Sequence, residues 1–324
     1  MNVRRQHISR VAVAAVTALG LGTLAACSDS SAAGNTEKFD VVASFYPMAF
    51  LAEQIGGDHV NVTSLTEPGQ EPHDLEISAK QTAQLQEADA ALYLKGLQPS
   101  VDEAISQSEV GTKIDAATLT GLEDHGDVEH GHGHEGEEEH AEEEGHSDEE
   151  SALDPHVWLD PVKYAEIAEG VGAAFEKADP DHAADYKKNT AALVGKLNDL
   201  DTRFEDGLKN TDSKVFFTNH SAFGYLAERY GLTQEAISGV DPESEPSAAR
   251  MKELQTEAKA DGVTTVFYET LVSDKTAKTL ADDAGLKTDV LDPLEGITDQ
   301  SRGDDYFEVM EANLKALQTA LGAK

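Results

Sequence analysis

Two kinds of residue are scarce in this chain, cysteine and basic residues. Cys27 is the only cysteine among the 324 residues, so no disulfide within the chain can support the fold. Lys and Arg total 25 against 62 Asp and Glu, which gives a formal net charge of −37 at pH 7. A chain this acidic repels nucleic acid and anionic lipid head groups, and it concentrates cations near its surface. Nucleic-acid binding is therefore excluded.

The sequence also lacks an apolar run long enough for a typical membrane helix. Val11 to Leu24 is apolar, follows a start with three arginines, and has the short length of a signal-peptide core. The Leu-Ala-Ala-Cys that ends at Cys27 resembles a bacterial lipobox, whose cysteine is lipidated after cleavage. We expect a lipoprotein signal peptide over residues 1–26 and a lipid-anchored tether over residues 27–38. The alternative is an ordinary cleavable signal followed by a chance cysteine.

Motifs of hydrolytic enzymes are missing as well. The chain contains no His-Glu-x-x-His pair on a helix and no Gly-x-Ser-x-Gly nucleophile elbow. A zinc hydrolase would also need an open coordination position and a general base. The sequence favours a binding protein over an enzyme, with a cell-surface zinc hydrolase as a weaker alternative.

What the chain does contain is an alternation of short apolar runs with amphipathic stretches. Such alternation predicts parallel βα units, in which ligands lie at the carboxyl ends of the strands. In the first half we predict strands at Phe39–Ser44, Val60–Leu65 and Ala90–Leu94, and helices at Pro47–Ile55, Ala79–Ala88 and Val101–Ser108. In the second half we predict strands at Lys214–Thr218, Thr264–Tyr268 and Lys287–Leu291, and helices at Ser221–Arg229, Ala248–Ala260, Asp274–Ala284 and Asp304–Leu321.

Between the two halves lies a long helical pattern. Asp160-Pro161 opens one helix, and from Asp181 apolar residues recur three, four or seven positions apart over about 28 residues. At 1.5 Å per residue this helix would span about 40 Å. We therefore predict an α/β protein with two lobes, residues 39–180 and 210–324, joined by a rigid connecting helix over residues 181–209.

Three histidines stand where strand-like runs give way to turns or helices. His73 lies in Glu-Pro-His-Asp-Leu-Glu, His156 in Asp-Pro-His-Val-Trp-Leu-Asp-Pro, and His220 in Asn-His-Ser-Ala-Phe-Gly-Tyr. They are 83 and 64 residues apart, so only the tertiary structure can bring them together. Imidazole nitrogens that converge from separate loops make a site suited to zinc.

These segments, in this order, resemble the zinc-type metal-binding solute-binding proteins of bacterial ABC importers. The resemblance extends from the Val-Val-Ala-Ser-Phe-Tyr-Pro that begins at Val41 to the Leu-Asp-Pro-Leu that ends at Leu294. It implies a metal site in the cleft between the lobes of a receptor on the extracytoplasmic face of the cell membrane. Such a receptor captures zinc and delivers it to a permease, without enzymatic activity. We expect a monomer.

The fourth ligand is predicted from the same resemblance. Asp292 follows a predicted strand and matches the position of the family's late acidic ligand, with Glu71 or a water molecule as alternatives. In the manganese-preferring branch, glutamate tends to replace His220. Three imidazoles and one carboxylate suit zinc better than manganese, which leaves a manganese receptor as the alternative within the family. An adhesin is a further alternative.

Residues 123–150 form a segment of histidine and acidic residues with almost no apolar side chain. Such a composition cannot build a core, so we expect a disordered loop. It holds fourteen acidic residues and six histidines, which are His125, His130, His132, His134, His140 and His146. We predict that these histidines form an auxiliary, low-affinity zinc-binding loop, the alternative being a passive spacer.

Overall fold

Two four-stranded parallel sheets organise the protein, which the computed structural model describes over residues 38–125 and 153–324. The first sheet contains β1 (Phe39–Ala43), β2 (Val60–Ser64), β3 (Ala90–Tyr93) and β4 (Thr112–Asp115). The second contains β5 (Val215–Thr218), β6 (Thr233–Ala236), β7 (Thr265–Tyr268) and β8 (Lys287–Val290). Their strand orders, β2-β1-β3-β4 and β6-β5-β7-β8, are equivalent, so the second half repeats the architecture of the first. The predicted two-lobed α/β fold is confirmed.

Helices connect and cover the strands. They are α1 (Tyr46–Gly56), α2 (Ala79–Glu87), α3 (Pro99–Gln107), α4 (Pro161–Ala178), α5 (Ala183–Leu208), α6 (Gly224–Tyr230), α7 (Ala248–Ala260), α8 (Lys275–Ala284) and α9 (Tyr306–Leu321). The start of α4 shows the local chemistry. Asp160 caps it by accepting a hydrogen bond from the N–H of Val162 (2.9 Å), and Pro161 needs no donor partner in the first turn.

The connecting helix is α5, whose 26 residues span about 39 Å. It packs against α1 and α4 of the first half and against α6 and α9 of the second. The buried apolar side chains of α5 are those of Tyr186, Leu193, Leu197, Leu200, Phe204 and Leu208. This single stripe joins the main core, which continues through both halves of the chain.

Buried hydrogen bonds add further ties between the halves. The Trp158 indole donates to the carbonyl of Pro293 (2.7 Å), and the Tyr306 hydroxyl donates to the carbonyl of Trp158 (2.7 Å). Both rings are fully buried. Because each bond joins segments more than 130 residues apart in the chain, wide separation of the two lobes would leave buried polar groups unpaired.

Strands β4 and β6 were not predicted from the sequence. Each is an edge strand of its sheet, and each contains a single buried residue, Ile114 in β4 and Ala236 in β6. Edge strands need no continuous apolar run, so their sequences resemble those of loops. Helix α6 also begins later than predicted, because residues 219–223 form the turn that positions His220.

Several predictions concern residues outside the described ranges. These are the signal peptide, Cys27, most of the tether, and the histidines at 130, 132, 134, 140 and 146. Within residues 38–125 and 153–324, no helix combines the length and apolarity that a membrane crossing requires.

Candidate metal centre

The side chains of His73, His156, His220 and Glu295 meet in the interior, with one ligand atom of each within 4.8 Å of the others. The distances from Glu295 Oε1 to the Nε2 atoms of His73, His156 and His220 are 3.4, 3.3 and 3.5 Å. Zinc bonds of about 2.0–2.1 Å at tetrahedral angles place neighbouring ligand atoms about 3.3 Å apart. The spacing therefore fits four ligands around one tetrahedral ion.

These ligand atoms are shielded from water. The side chains of His156 and Glu295 are 0% exposed, and that of His220 is 1% exposed. The Nε2 atoms of the three histidines and both oxygens of Glu295 have no hydrogen-bond partner among the described residues. Since buried polar atoms are almost always paired, a cation is the partner that this donor set calls for.

The loop between β2 and α2 presents His73. The carboxylate of Glu71 accepts hydrogen bonds from the backbone N–H groups of His73 (3.1 Å) and Asp74 (3.2 Å), which closes the turn. Burial raises the pKa of Glu71, and the nearby carboxylate of Glu295 adds to this effect. Glu71 thus shapes the loop and lies outside the group of four.

A buried carboxylate orients His156. Asp154 Oδ1 accepts hydrogen bonds from the backbone N–H of His156 (2.9 Å) and from its Nδ1 (2.8 Å). A carboxylate only accepts, so Nδ1 carries the proton and Nε2 keeps a lone pair for a metal. Although burial raises the pKa of Asp154, hydrogen bonds from His125 and His156 outweigh it and lower that pKa to about 2.

His220 follows β5, and its orienting partner follows β7. Glu269 Oε1 lies 2.7 Å from His220 Nδ1, and the Asn219 side-chain amide donates to the same oxygen. Asp160, four residues after His156, caps α4 and pairs with Arg229 (2.6 Å). Carboxyl ends of parallel strands thus supply His220 and its support.

A tight turn after β8 brings Glu295 into the site. Leu294 has a φ of 59°, a left-handed conformation that is rare for a residue other than glycine. Its backbone N–H donates to Asp292 Oδ1 (2.8 Å), and Asn313 pairs with both the N–H and the carbonyl of Asp292. Surrounding contacts therefore hold this strained backbone, as is common at ligand sites.

Asp292, the predicted fourth ligand, lies next to the buried group of four residues but is not one of its members. The Asp292 carboxylate faces the Leu294 amide and the Thr270 hydroxyl (3.3 Å), and it lies outside the group of four ligand atoms. Burial raises the pKa of Asp292 to about 6. Asp292 supports the turn, and Glu295, three residues later, contributes the carboxylate oxygen of the group of four. Sequence reasoning missed Glu295 and Asp154, although each lies in a segment that it had singled out.

The site favours positive charge. Burial lowers the pKa of His220, but the carboxylates of Glu269 and Glu295 outweigh burial and raise that pKa to about 10. Burial would raise the pKa of Glu295, yet the three imidazoles hold it well below its usual range. The surrounding carboxylates therefore stabilise positive charge at these ligand atoms, which is the charge that a metal ion brings.

Of the six histidines in the predicted auxiliary loop, the structure describes only His125. Its Nδ1 lies 2.8 Å from Asp154 Oδ2, and its Nε2 lies 3.0 Å from Glu228 Oε2. Its ring packs edge-on against Tyr225 with the ring centroids 4.2 Å apart. His125 is therefore held in place beside α6, outside the buried group of ligands.

Comparison with known proteins places the chain in a family. The family model described as ZnuA, zinc-uptake complex component A, periplasmic, matches residues 41–320. The chain belongs to this family. The match covers both lobes and all four residues of the buried group.

Two curated relatives and one solved structure illustrate the match. The zinc-binding lipoprotein AdcA of Streptococcus pneumoniae (strain ATCC BAA-255 / R6) is 39% identical over 305 residues, or 91% of this chain and 58% of AdcA. The high-affinity zinc uptake system protein ZnuA of Bacillus subtilis (strain 168) is 37% identical over 312 residues, or 93% of this chain and 94% of ZnuA. The Zn(II)-bound ZnuA-like domain of S. pneumoniae AdcA has a TM-score of 0.71 at 36% identity, covering 88% of this chain and 99% of that domain.

Proposed function

We propose that this protein is the zinc receptor of an ABC importer, which captures zinc outside the cytoplasmic membrane and delivers it to the permease. The observation that carries the proposal is the set of four buried ligand atoms, three imidazole nitrogens and one carboxylate oxygen, at tetrahedral spacing. The names of the relatives, a zinc-binding lipoprotein and a high-affinity zinc uptake system protein, support the same cargo.

The donor set decides between zinc and manganese. Imidazole suits zinc, whereas carboxylate, carbonyl and water oxygens suit manganese, which also stands lowest in the affinity order of the divalent transition metals. His220 is the third nitrogen ligand, and Glu269 fixes its orientation. We therefore propose zinc as the transported ion and expect manganese to bind much more weakly.

Binding follows from the way the ligands are held. Asp154 and Glu269 accept the Nδ1 protons of His156 and His220, so each imidazole presents Nε2 to the ion. His73 and His156 come from the first half of the chain, and His220 and Glu295 from the second. A bound ion thus joins the two lobes. The shared core and the long α5 favour small rearrangements over wide hinge opening.

The proposed role is transport without catalysis. Four protein ligands complete a tetrahedral shell, whereas catalytic zinc sites keep one position open for water or substrate. Zinc is the cargo here, and no covalent bond in a substrate is made or broken.

The location of the receptor is also a proposal. It combines the signal peptide over residues 1–26, a lipid anchor at Cys27 and the tether over residues 27–38 with the lipoprotein name of one relative. In this arrangement the lobes (39–180 and 210–324), joined by the helix over 181–209, act as a monomer at the extracytoplasmic face of the membrane. The permease is the protein partner, and the histidines of residues 123–150 supply auxiliary zinc capture.

The test is a calorimetric titration of zinc and manganese into the metal-stripped protein. We compare the wild type with His220→Ala and with a control, His59→Ala, whose imidazole pairs with Asp185 instead of a metal ligand. The proposal expects tight zinc binding in the wild type and the control, and a loss of at least about 100-fold in His220→Ala. Manganese binding as tight as zinc binding, or an unaffected His220→Ala, would contradict it.

A further inference from the structure

A second group of potential metal ligands lies outside the buried site, and we call it the rim cluster. It consists of Glu123, His125 and Glu228, with one ligand atom of each within 4.8 Å of the others. Glu123 and His125 belong to the segment after β4, whereas Glu228 lies on α6 of the other lobe. The cluster is more exposed than the buried site, and Glu228 has 61% of its side chain accessible to solvent.

The imidazole of His125 is oriented like that of a metal ligand. Asp154 Oδ2 accepts from His125 Nδ1 (2.8 Å), just as Asp154 Oδ1 accepts from Nδ1 of His156. One carboxylate thus fixes two imidazoles, and each turns Nε2 toward a glutamate. For His125 that glutamate is Glu228, at 3.0 Å. A carboxylate behind a histidine is the usual outer support of a zinc ligand.

Close packing keeps His125 in this position. A Cβ atom at Gly224 would lie 2.6 Å from His125 Cγ, so only glycine admits the ring against the start of α6. The backbone N–H of Glu123 donates to the Tyr225 hydroxyl (2.8 Å), which fixes the second ligand residue next to the same helix. Ring packing and a backbone hydrogen bond thus hold His125 and Glu123 beside α6, in addition to the carboxylate contacts of His125.

Lys163 competes with a metal for this cluster. Its ammonium group lies 2.6 Å from Glu123 Oε1 and 5.4 Å from the centre of the Tyr225 ring. A bound ion would have to displace this cation or use the other oxygen of Glu123. Together with the exposure of Glu228, the competition predicts binding that is weaker than in the buried site.

We propose that Glu123, His125 and Glu228 form a second zinc site, with water completing the coordination. One imidazole nitrogen and two carboxylate oxygens are suitable zinc ligands. Two of its ligand residues directly precede residues 126–152 in the chain. The site shares its orienting carboxylate, Asp154, with the buried site. It takes zinc independently of the buried ligands, so it stands even if the transported metal is misassigned.

The experiment isolates this site from the other histidines of the segment. In the full-length chain His130, His132, His134, His140 and His146 are all changed to glutamine. The metal-stripped protein is then titrated with zinc in a calorimeter. We expect one equivalent of zinc to bind tightly at the buried site and a second equivalent to bind more weakly at the rim cluster. In this background His125→Gln and Glu228→Gln each weaken the second equivalent at least about tenfold, since loss of a ligand costs no less than loss of its outer support.

Two further variants make the test specific. Lys163→Gln removes the competing cation and tightens the second equivalent, an effect opposite in sign to that of the ligand variants. Glu169→Gln removes one exposed charge six residues further along α4 and leaves both equivalents unchanged. Circular dichroism checks that each variant is folded.

The outcomes are separable. A second equivalent that is absent in the five-glutamine background, or is unaffected by both His125→Gln and Glu228→Gln, overturns the rim site. Loss of the tight equivalent alone would instead contradict the function proposed for the buried site. X-ray absorption at the zinc edge gives a second measure, because filling the rim site lowers the average number of nitrogen ligands per zinc.

Discussion

The buried site and the rim cluster use the same ligand chemistry in opposite surroundings. In the buried site, the three Nε2 atoms and both oxygens of Glu295 have no hydrogen-bond partner among the described residues. In the rim cluster, His125 already bonds to Glu228 and Glu123 already pairs with Lys163. Asp154 orients a histidine in each. The two sites therefore share the residue that orients a histidine, and they differ in the hydrogen bonds and ion pairs that a metal must displace.

That difference sets the expected order of affinities. A buried polar atom without a partner costs about 1–3 kcal/mol, so an ion that satisfies several such atoms relieves the protein of this cost. In the rim cluster the ligand atoms already have partners. Zinc binding there replaces existing hydrogen bonds and an ion pair, so it gains little free energy from pairing these atoms. The buried site should therefore bind zinc first. The following experiments test that contrast, from the largest expected effect to the smallest.

Exchanging the buried carboxylate should have the largest effect. Glu295→Gln keeps the shape of the side chain but removes the charge that faces three imidazoles, and we expect zinc affinity to fall at least about 100-fold. Asp292→Asn is the matched variant three residues earlier. It weakens only the turn at Leu294, so its effect should be smaller. Calorimetry on both variants decides, and a larger loss in Asp292→Asn would restore Asp292 as the ligand.

This pair of residues also shows how far the sequence could predict the site. His73, His156 and His220 each follow a recognisable strand or proline turn, and their convergence follows from the parallel βα pattern. The position of Glu295 depends on a left-handed Leu294, and sequence patterns predict such a conformation for glycine, not leucine. The short edge strands β4 and β6 were missed for a different reason, since their stability comes from pairing with a neighbour and not from an apolar run.

Zinc binding should stabilise the fold through the buried site. At a free zinc concentration of 100 times the Kd, the free energy of unfolding should rise by about 2.7 kcal/mol. Denaturant titration with and without zinc measures this increase. His156→Ala should abolish the increase, whatever its own effect on the metal-free protein. An increase that persists in His156→Ala would mean that the rim cluster or another site accounts for the stabilisation.

Asp154→Asn tests the element that the two sites share. The amide keeps one acceptor oxygen but can no longer accept from both Nδ1 atoms, so one imidazole loses its support. We expect zinc affinity to fall about 10- to 100-fold at the buried site and the second equivalent to weaken as well. Titration of both equivalents in the five-glutamine background measures the two effects together. If only one equivalent changes, the remaining oxygen has kept the other histidine in place.

The smallest effect on zinc binding is expected from a change at Tyr225, whose hydroxyl contacts the backbone next to the rim cluster. Its hydroxyl bonds to the backbone of Glu123 (2.8 Å) and Asp154 (2.7 Å), on the two sides of the histidine-rich segment. Tyr225→Phe leaves these backbone groups without that partner and should lower the free energy of unfolding by about 1–3 kcal/mol. The second zinc equivalent should weaken less than in Glu228→Gln, because every ligand remains. Trp158→Phe is the corresponding variant beside the buried site, because it removes the indole N–H that donates to the Pro293 carbonyl. If Tyr225→Phe weakened the tight equivalent instead, the rim and the buried site would be one coupled unit, joined through Asp154.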